Sequence, residues 1–258
     1  AGLAKLVNEG NDFSGKTITL GADIDLAGKK WTPIGKSNNT FKGTFVGTGF
    51  TVSNVSINED TLDYAGLFGL IEAPGKLQSV TINNADITAK SSAGVLAGSA
   101  FTGTVEGCKV TGLIHVTAYY KVGGMAGEGY ADFTNCSVTA SAGSTVSGVY
   151  KVPNLEGDNV GGLIGYRGEG SGVETKGCSV SGVSVTGTRK VAGLIGSAFT
   201  DNQIEDCTVA DVAVSSNATE KYISANTSSA GIGGIVGVYT VNGDSNGTLK
   251  GCEVKNVS

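Results

Sequence analysis

A glycine-centred segment recurs six times along the chain, and this repeat restricts the possible folds more than any other feature. The central glycines of successive segments are 28, 30, 38, 31 and 41 residues apart, so the basic unit is near 28 to 31 residues and two units carry insertions. A period of this size is typical of solenoids, propellers and other repeat architectures. The six segments are AGLFG (65–69), AGVLAG (93–98), VGGMAG (122–127), VGGLIG (160–165), VAGLIG (191–196) and IGGIVG (232–237).

All five cysteines of the chain fall on one position of this repeat. Two earlier copies have valine, which we assign to Val55 and Val80, so the position occurs seven times. Free cysteine packs as a small hydrophobe, and its exchange with valine therefore indicates a small buried site. An apolar residue follows two positions later in each copy, which places both side chains on one face of a strand. The cysteines are Cys108, Cys136, Cys178, Cys207 and Cys252.

The residue before each cysteine is glycine, asparagine or aspartate, a class that tolerates corners, so each unit is predicted to contain two or three short strands joined by bends. Propeller blades are longer, near 40 residues, and need hairpin turns, which are sparse here. Leucine-rich repeats need leucine at several fixed positions, which this sequence lacks. We therefore predict an all-β fold: a right-handed parallel β-helix, or solenoid, of about seven coils.

The domain organisation follows from where the repeat begins. Residues 1–38 are predicted to form an N-terminal cap and leader, with a short capping helix at 3–7 (LAKLV). Residues 39–258 are predicted to form one continuous β-helix with polar insertions near 140–159 and 215–231. We expect these insertions to protrude from one edge of the solenoid and further domains of the same protein to lie beyond Ser258.

The amino-acid composition excludes several classes of protein. Glycine accounts for 42 of the 258 residues and proline for only three, which excludes collagen, and 40% of the residues are apolar, which argues against disorder. The net charge is −5 without a basic cluster, so nucleic acid is not an expected partner. Apolar runs are far shorter than the roughly 18 residues of a membrane span, and none is predicted.

The sequence resembles the GLUG-repeat proteins, named after the glycine-leucine-any-glycine turn that this chain shows as GLFG and twice as GLIG. The leader is similar as well: VNEG (7–10), LGADIDL (20–26), WTPIG (31–35) and FKGTF (41–45) match the usual entry into such domains. The resemblance covers essentially the whole chain. It implies an extracellular or cell-surface bacterial protein, commonly of Bacteroides-like organisms and often described as an adhesin.

Related repeats precede the catalytic part of some IgA-cleaving metallopeptidases. The resemblance therefore raises the question whether this chain contains such a catalytic part. Such peptidases need the zinc motif H-E-x-x-H, but the chain has one histidine, His115, and valine follows it. No catalytic residue of that family can be assigned to this chain. We predict that the repeats correspond to the non-catalytic N-terminal region.

The candidate chemical groups favour a chain without catalytic residues, metal or cofactor. The cysteines lie in different coils at spacings unlike those of zinc sites, and side chains stacked about 4.8 Å apart do not converge as a disulfide requires. They are predicted to be buried free thiols. Asp23 and Asp25 are expected to bond backbone groups at the cap, and the other carboxylates to lie on a solvated face. These are Asp201, Asp206 and Asp211.

Aromatic residues supply the main indication of binding. Several tyrosines fall just before or after a glycine turn or inside an insertion, where exposed rings can stack on sugars. Phe101 and Phe199 are expected to cover a corner of the coil. The chain is therefore predicted to be a non-enzymatic adhesin-like or stalk module that binds a glycan or a host surface protein. A carbohydrate-active enzyme and a purely structural spacer remain alternatives. The candidate binding residues are Tyr119, Tyr120, Tyr130, Tyr150 and Tyr222.

Overall fold

A computed structural model describes residues 1–27, 29–152, 155–156, 158–168, 172–217, 231–240 and 247–258. The chain starts with helix α1 (Gly2–Asn8), which buries Ala4 and Val7. Two short strands follow, β1 (Thr17–Thr19) and β2 (Ile24–Asp25). Within the described residues no helix is long and apolar enough to cross a membrane.

The first three coils each contribute four strands. The first coil contains β3 (Thr44–Val46), β4 (Thr51–Glu59), β5 (Tyr64–Ala65) and β6 (Phe68–Ile71). The second contains β7 (Lys76–Gln78), β8 (Thr81–Ala89), β9 (Ser92–Ala93) and β10 (Ala97–Ala100). The third contains β11 (Thr104–Glu106), β12 (Lys109–Ala118), β13 (Tyr120–Gly123) and β14 (Ala126–Gly129).

The later coils repeat this order, with two additional strands in the fourth. The fourth coil contains β15 (Asp132–Thr134), β16 (Ser137–Gly148), β17 (Tyr150–Val152), β18 (Leu155–Glu156), β19 (Asp158–Gly161) and β20 (Ile164–Arg167). The fifth contains β21 (Glu174–Lys176), β22 (Ser179–Gly187), β23 (Val191–Ala192) and β24 (Ile195–Ala198). The sixth contains β25 (Gln203–Glu205), β26 (Thr208–Ser216), β27 (Ile232–Gly233) and β28 (Val236–Tyr239), and β29 (Thr248–Lys250) and β30 (Glu253–Val257) follow it.

Equivalent strands of successive coils pair in parallel and form four sheets. Sheets 1 and 2 have eight strands each, in the orders β1-β3-β7-β11-β15-β21-β25-β29 and β2-β4-β8-β12-β16-β22-β26-β30. Sheet 3 (β5-β9-β13-β19-β23-β27) and sheet 4 (β6-β10-β14-β20-β24-β28) have six each. The prediction of a parallel β-helix with a short N-terminal helix is therefore confirmed. The leader joins this solenoid directly, because β1 pairs with β3 and β2 with β4.

The core consists of apolar ladders along the solenoid axis. One runs through the first apolar position of sheet 2, from Val52 to Val209, and each of its members before the last coil is buried. The cysteines form the adjacent ladder, and every thiol donates to a sheet 1 carbonyl of the preceding coil at 3.4 to 3.8 Å. Four of the five are buried and Cys252 is partly exposed. The predicted stacking of the cysteines is confirmed.

The first copy of this ladder was assigned wrongly from the sequence. Val55 pairs with Ala85 and not with Val80, because Val52 is the residue in register with Ile82. Phe50, which precedes Thr51 as Val80 precedes Thr81, stands at the cysteine position. The sequences NVSI and SVTI look alike because polar and apolar residues alternate in the same way in both halves of a sheet 2 strand. The corner of the first coil is also longer than that of the second, which hides the true register.

The glycine turn joins sheet 3 to sheet 4, and we call this corner the elbow. The turn requires glycine because backbones approach closely there. A Cβ at Gly124 would overlap the carbonyl oxygen of Gly162 in the next coil, and a Cβ at Gly127 would overlap the backbone nitrogen of Ala93. Sheets 3 and 4 therefore meet without side chains between them, and the residues beside the glycines face each other across the elbow.

The insertion predicted near 140–159 is divided between two places. Part of it is a bulge within β16, where the register against β12 and β22 shifts between residues 139 and 145. The other part forms the antiparallel pair β17 and β18 just before the elbow. Most of the insertion predicted near 215–231 lies outside the described residues.

Candidate functional site

Four aromatic rings from four successive coils lie in a row where sheet 4 ends, and we call this row the ring ladder. The ring centroids of Phe101 and Tyr130 are 4.9 Å apart, those of Tyr130 and Tyr166 are 6.1 Å apart, and those of Tyr166 and Phe199 are 5.3 Å apart. The interplanar angles are 46° to 55°, so the rings are tilted against each other. Phe101, at one end, is 46% exposed.

Tyr166 enters the ring ladder from a different position of the repeat. Phe101, Tyr130 and Phe199 each follow the last residue of a sheet 4 strand, whereas the corresponding residue of the fourth coil is Gly168. A Cβ at Gly168 would overlap the Tyr130 ring, so glycine leaves the space that this ring occupies. Tyr166, two residues earlier and in register with Glu128, supplies the missing ring.

A network of polar side chains lies across the elbow beside the ring ladder. Lys121 of sheet 3 forms an ion pair with Glu128 of sheet 4, and Ser92 donates to the same carboxylate at 3.3 Å. The Lys121 ammonium lies 4.6 Å from the ring centroid of Tyr166 and 5.2 Å from that of Tyr120. Both geometries are favourable cation–π contacts. The ion pair is thus held between two tyrosine rings.

The next coils extend this network with a second ion pair. Arg189 Nε donates to both carboxylate oxygens of Asp158, at 3.1 and 2.9 Å, and Asp158 is buried. Between the same two coils, Ser197 Oγ donates to Asn159 Oδ1 at 2.5 Å, and both residues are fully buried. The elbow charges described here are therefore paired.

Tyr120 and Tyr130 have raised pKa values and are neutral at physiological pH. Burial, with a further contribution from Glu128, raises the pKa of Tyr130 well above its ordinary value. Burial also raises the pKa of Tyr120, although a hydrogen bond with Asn159 partly offsets the shift. Both phenols therefore keep their protons and remain able to donate a hydrogen bond.

The five predicted tyrosines do not form one cluster. Tyr130 belongs to the ring ladder, and Tyr120 contacts the elbow network. Tyr119 lies between β12 and β13, and its backbone N–H donates to the Lys90 carbonyl at 3.1 Å. Tyr150 begins β17, where its side chain is outside the described residues, and Tyr222 also lies outside them. Their assignment as binding residues stays a prediction.

Sequence reasoning missed Tyr166 and Lys121 as part of this surface. Tyr166 is out of phase with the other rings, and only the paired occurrence of Gly168 with a tyrosine two residues earlier signals the exchange. The predicted corner role of Phe101 and Phe199 agrees with their position after sheet 4. The ring ladder is therefore a continuous surface of four coils that the sequence shows only in pieces.

The carboxylates considered as catalytic candidates have local structural contacts. Asp23 Oδ1 accepts the Thr51 N–H at 2.8 Å, and Asp25 Oδ1 accepts the Ala27 N–H at 2.8 Å. The other three aspartates all stand at positive φ, between 53° and 65°, and so occupy backbone corners. Within the described residues no group of three or more His, Cys, Asp or Glu side chains is placed to hold a metal ion. The three corner residues are Asp201, Asp206 and Asp211.

A second concave surface, which we call the bay, lies on the outer face of sheet 2. It is a depression of about 600 Å³ that spans the leader and the first three coils. His115 of β12 lies in it. Its lining residues include Ala27, Asn54, Ser56, Asn84, Asp86, Leu113 and His115.

Comparisons with known proteins support the fold and show that the chain is similar to parts of longer proteins. No protein-family model matches the chain. Halomucin of Haloquadratum walsbyi is 35% identical over 120 residues, which are 42% of this chain and 1% of halomucin. A proposed Gly-rich membrane protein of Evansella cellulosilytica is 35% identical over 71 residues, which are 28% of this chain and 8% of that protein.

The crystal structure of a Bacteroides ovatus protein, described as a proposed immunoglobulin A1 protease, is similar over 95% of this chain and 72% of its own. The TM-score is 0.65 and the sequence identity 24%, so the likeness shows a shared fold. The chain spans only 1% and 8% of the two curated relatives that it matches. Membership in the GLUG-repeat group stays a prediction. What the comparisons show is a parallel β-solenoid similar to parts of longer proteins.

Proposed function

We propose that this chain is a non-enzymatic adhesive module of an extracellular or bacterial cell-surface protein, and that it binds a glycan through the ring ladder. The ring ladder is the observation that carries the proposal. Aromatic rings offer apolar faces to the C–H groups of sugars, and tyrosine hydroxyls add hydrogen bonds at the ring edge. Four rings in a row suit a chain of sugars better than a single small molecule.

The charges around the ring ladder favour a neutral glycan. Lys121 and Arg189 are each paired with a carboxylate, and the phenols of Tyr120 and Tyr130 stay protonated. No unpaired cation of this network is therefore offered to sulfate or carboxylate groups. The net charge of −5 also disfavours strongly acidic polysaccharides.

A glycan array tests this proposal with the chain and two variants, Tyr130→Ala and Tyr166→Ala. Each loss of a stacked ring is worth roughly 0.5 to 1.5 kcal/mol, so affinity for the bound glycans should fall about two- to tenfold per variant. Tyr64→Ala, at the elbow of the first coil and outside the ring ladder, is the matched control. Unchanged binding by both ladder variants, with folding verified by circular dichroism, would contradict the proposal.

The same protein and the glycans that it binds on the array also distinguish the alternative functions. Release of reducing sugar from the bound glycan would identify an enzyme, and binding to deglycosylated host-cell protein would identify a protein ligand. An empty array together with no cell-surface binding would favour a structural spacer. Each result differs from the expected one, which is glycan binding without turnover.

A further inference from the structure

The bay has walls that a regular β-helix would not have. Successive coils of identical length produce an even outer face on sheet 2. Here the turn at Ala27 closes the bay toward the leader, and Leu113 closes it on the opposite side. Both walls come from segments that depart from the repeat, so the concavity is a local addition to the scaffold.

The Leu113 wall is a bulge of the third coil. Between the register pairs Thr111–Asn83 and Ile114–Ala85, the third coil has two residues where the second has one. Gly112 takes a φ of 79° at this bulge, and Leu113 is 43% exposed. Bulges of this kind often re-aim a side chain beside a functional site. The bulge therefore places an exposed apolar side chain in the lining of the bay.

The floor of the bay is held by a chain of hydrogen bonds across four layers. Asn54 Nδ2 donates to Asp25 Oδ1 at 2.8 Å, and Asn84 Nδ2 donates to Asn54 Oδ1 at 3.4 Å. Asn84 Oδ1 in turn accepts the Leu113 N–H at 2.8 Å. These amides bond to one another and to the wall, so they fix the shape of the bay before any ligand arrives.

Ser56, Asp86 and His115 form one row across the bay. They are register partners on three neighbouring parallel strands, whose separation is about 4.8 Å. His115 Nδ1 bonds Thr145 Oγ1 of the next coil at 3.1 Å, which orients the imidazole. Within the described part of the chain, the Asp86 carboxylate and His115 Nε2 have no hydrogen-bond partner. A carboxyl group and a ring nitrogen are thus presented on neighbouring strands.

We propose that the bay is a binding site for a single saccharide unit of a neutral glycan, separate from the ring ladder. Two adjacent hydroxyls of a pyranose can donate to Asp86 and bond His115 Nε2, while the C–H face of the ring packs on Leu113. The Asp86 carboxylate disfavours acidic sugars. This inference shares with the proposed function the premise of glycan binding, but it uses other residues on another sheet.

The chain has one histidine, so the His115 ring gives an unambiguous NMR signal for the bay. We would titrate the full chain with glucose, galactose, mannose and N-acetylglucosamine and follow the imidazole C–H resonances. At least one sugar should shift them saturably. Asp86→Asn and Leu113→Ala should each weaken the affinity about tenfold. Ser184→Ala, in the same row of the fifth coil, should leave the affinity unchanged.

The ring ladder variants distinguish the proposal for the bay from the proposal for the ring ladder. Tyr130→Ala and Tyr166→Ala should not alter the His115 titration, even where they abolish array binding. Array binding without any saturable His115 shift, or equal affinities for Asp86→Asn and the unmodified chain, would overturn the bay as a sugar site. A saturable His115 shift with an empty array would instead overturn the ring ladder proposal and leave this one standing.

Discussion

At the scale of single residues, the cysteine ladder acts as core packing. Hydrogen bonding with Cys136, together with burial, raises the pKa of Cys178 to about 12, and hydrogen bonding with Cys178, together with burial, also raises the pKa of Cys207. A thiol in the unfolded chain ionises near pH 8.5. The folded state therefore keeps the proton where the unfolded state loses it, and these thiols stabilise the fold most fully below pH 8.5.

We expect the free energy of unfolding to decrease as the pH rises from about 8.5 toward 12. The loss should be about 1.4 kcal/mol per pH unit for each such thiol, because the unfolded state then binds fewer protons. Urea denaturation at pH 7 and pH 10 measures this loss of unfolding free energy. Cys178→Val reproduces the valine that Val80 places at this position, and it should reduce the pH dependence. A pH dependence identical to that of the unmodified chain would contradict this account.

At the scale of elements, the elbow depends on the close approach of sheets 3 and 4. The glycines there have ordinary backbone angles, so their requirement is space and not conformational freedom. Neighbouring backbone atoms cannot move away without breaking the ladders on both sides. The elbow in turn sets the separation of Lys121 from Glu128 and hence the geometry of the polar network.

Gly127→Ala should therefore destabilise the protein by about 3 kcal/mol or more, the upper end of the range for overpacked sites. Its Cβ would meet the backbone of residues 92 and 93. Gly21→Ala is the matched control, since a Cβ there has open space and the residue has no positive φ. Thermal denaturation compares the two variants. Equal melting temperatures for the two variants would show that the backbone at the elbow can move to accommodate the added methyl group.

At the scale of the whole molecule, the first and last coils of residues 1–258 differ in burial. Helix α1 and the leader cover the N-terminal end, where Ile34 and Phe41 are buried. At the other end, Leu249 is 56% and Val254 45% exposed, although their counterparts Ile204 and Val209 are fully buried one coil earlier. Exposed apolar strand edges are templates for pairing with another chain.

Residues 1–258, produced on their own, should therefore self-associate through β29 and β30. Sedimentation velocity at increasing concentration measures the association, and the double variant Leu249→Lys/Val254→Lys should sediment as a monomer because lysine on an edge strand opposes pairing. Leu113→Lys, which also replaces an exposed leucine but lies far from this end, is the control. A monomer at all concentrations without substitution would contradict the prediction.

The sequence alone determined the architecture, because a parallel solenoid must repeat its buried positions with the period of its coils. The glycine turns, the cysteine ladder and the corner residues all follow from that constraint and were legible by eye. Tertiary structure decided which outward residues meet. Tyr166 joins rings with which it shares no repeat position, and Asp86 meets His115 because strand register brings residues of different coils together. Outer positions carry less packing constraint, so the functional surfaces made from them show the repeat only in part: Phe101, Tyr130 and Phe199 follow it, whereas Tyr166, Asp86 and His115 do not announce their contacts.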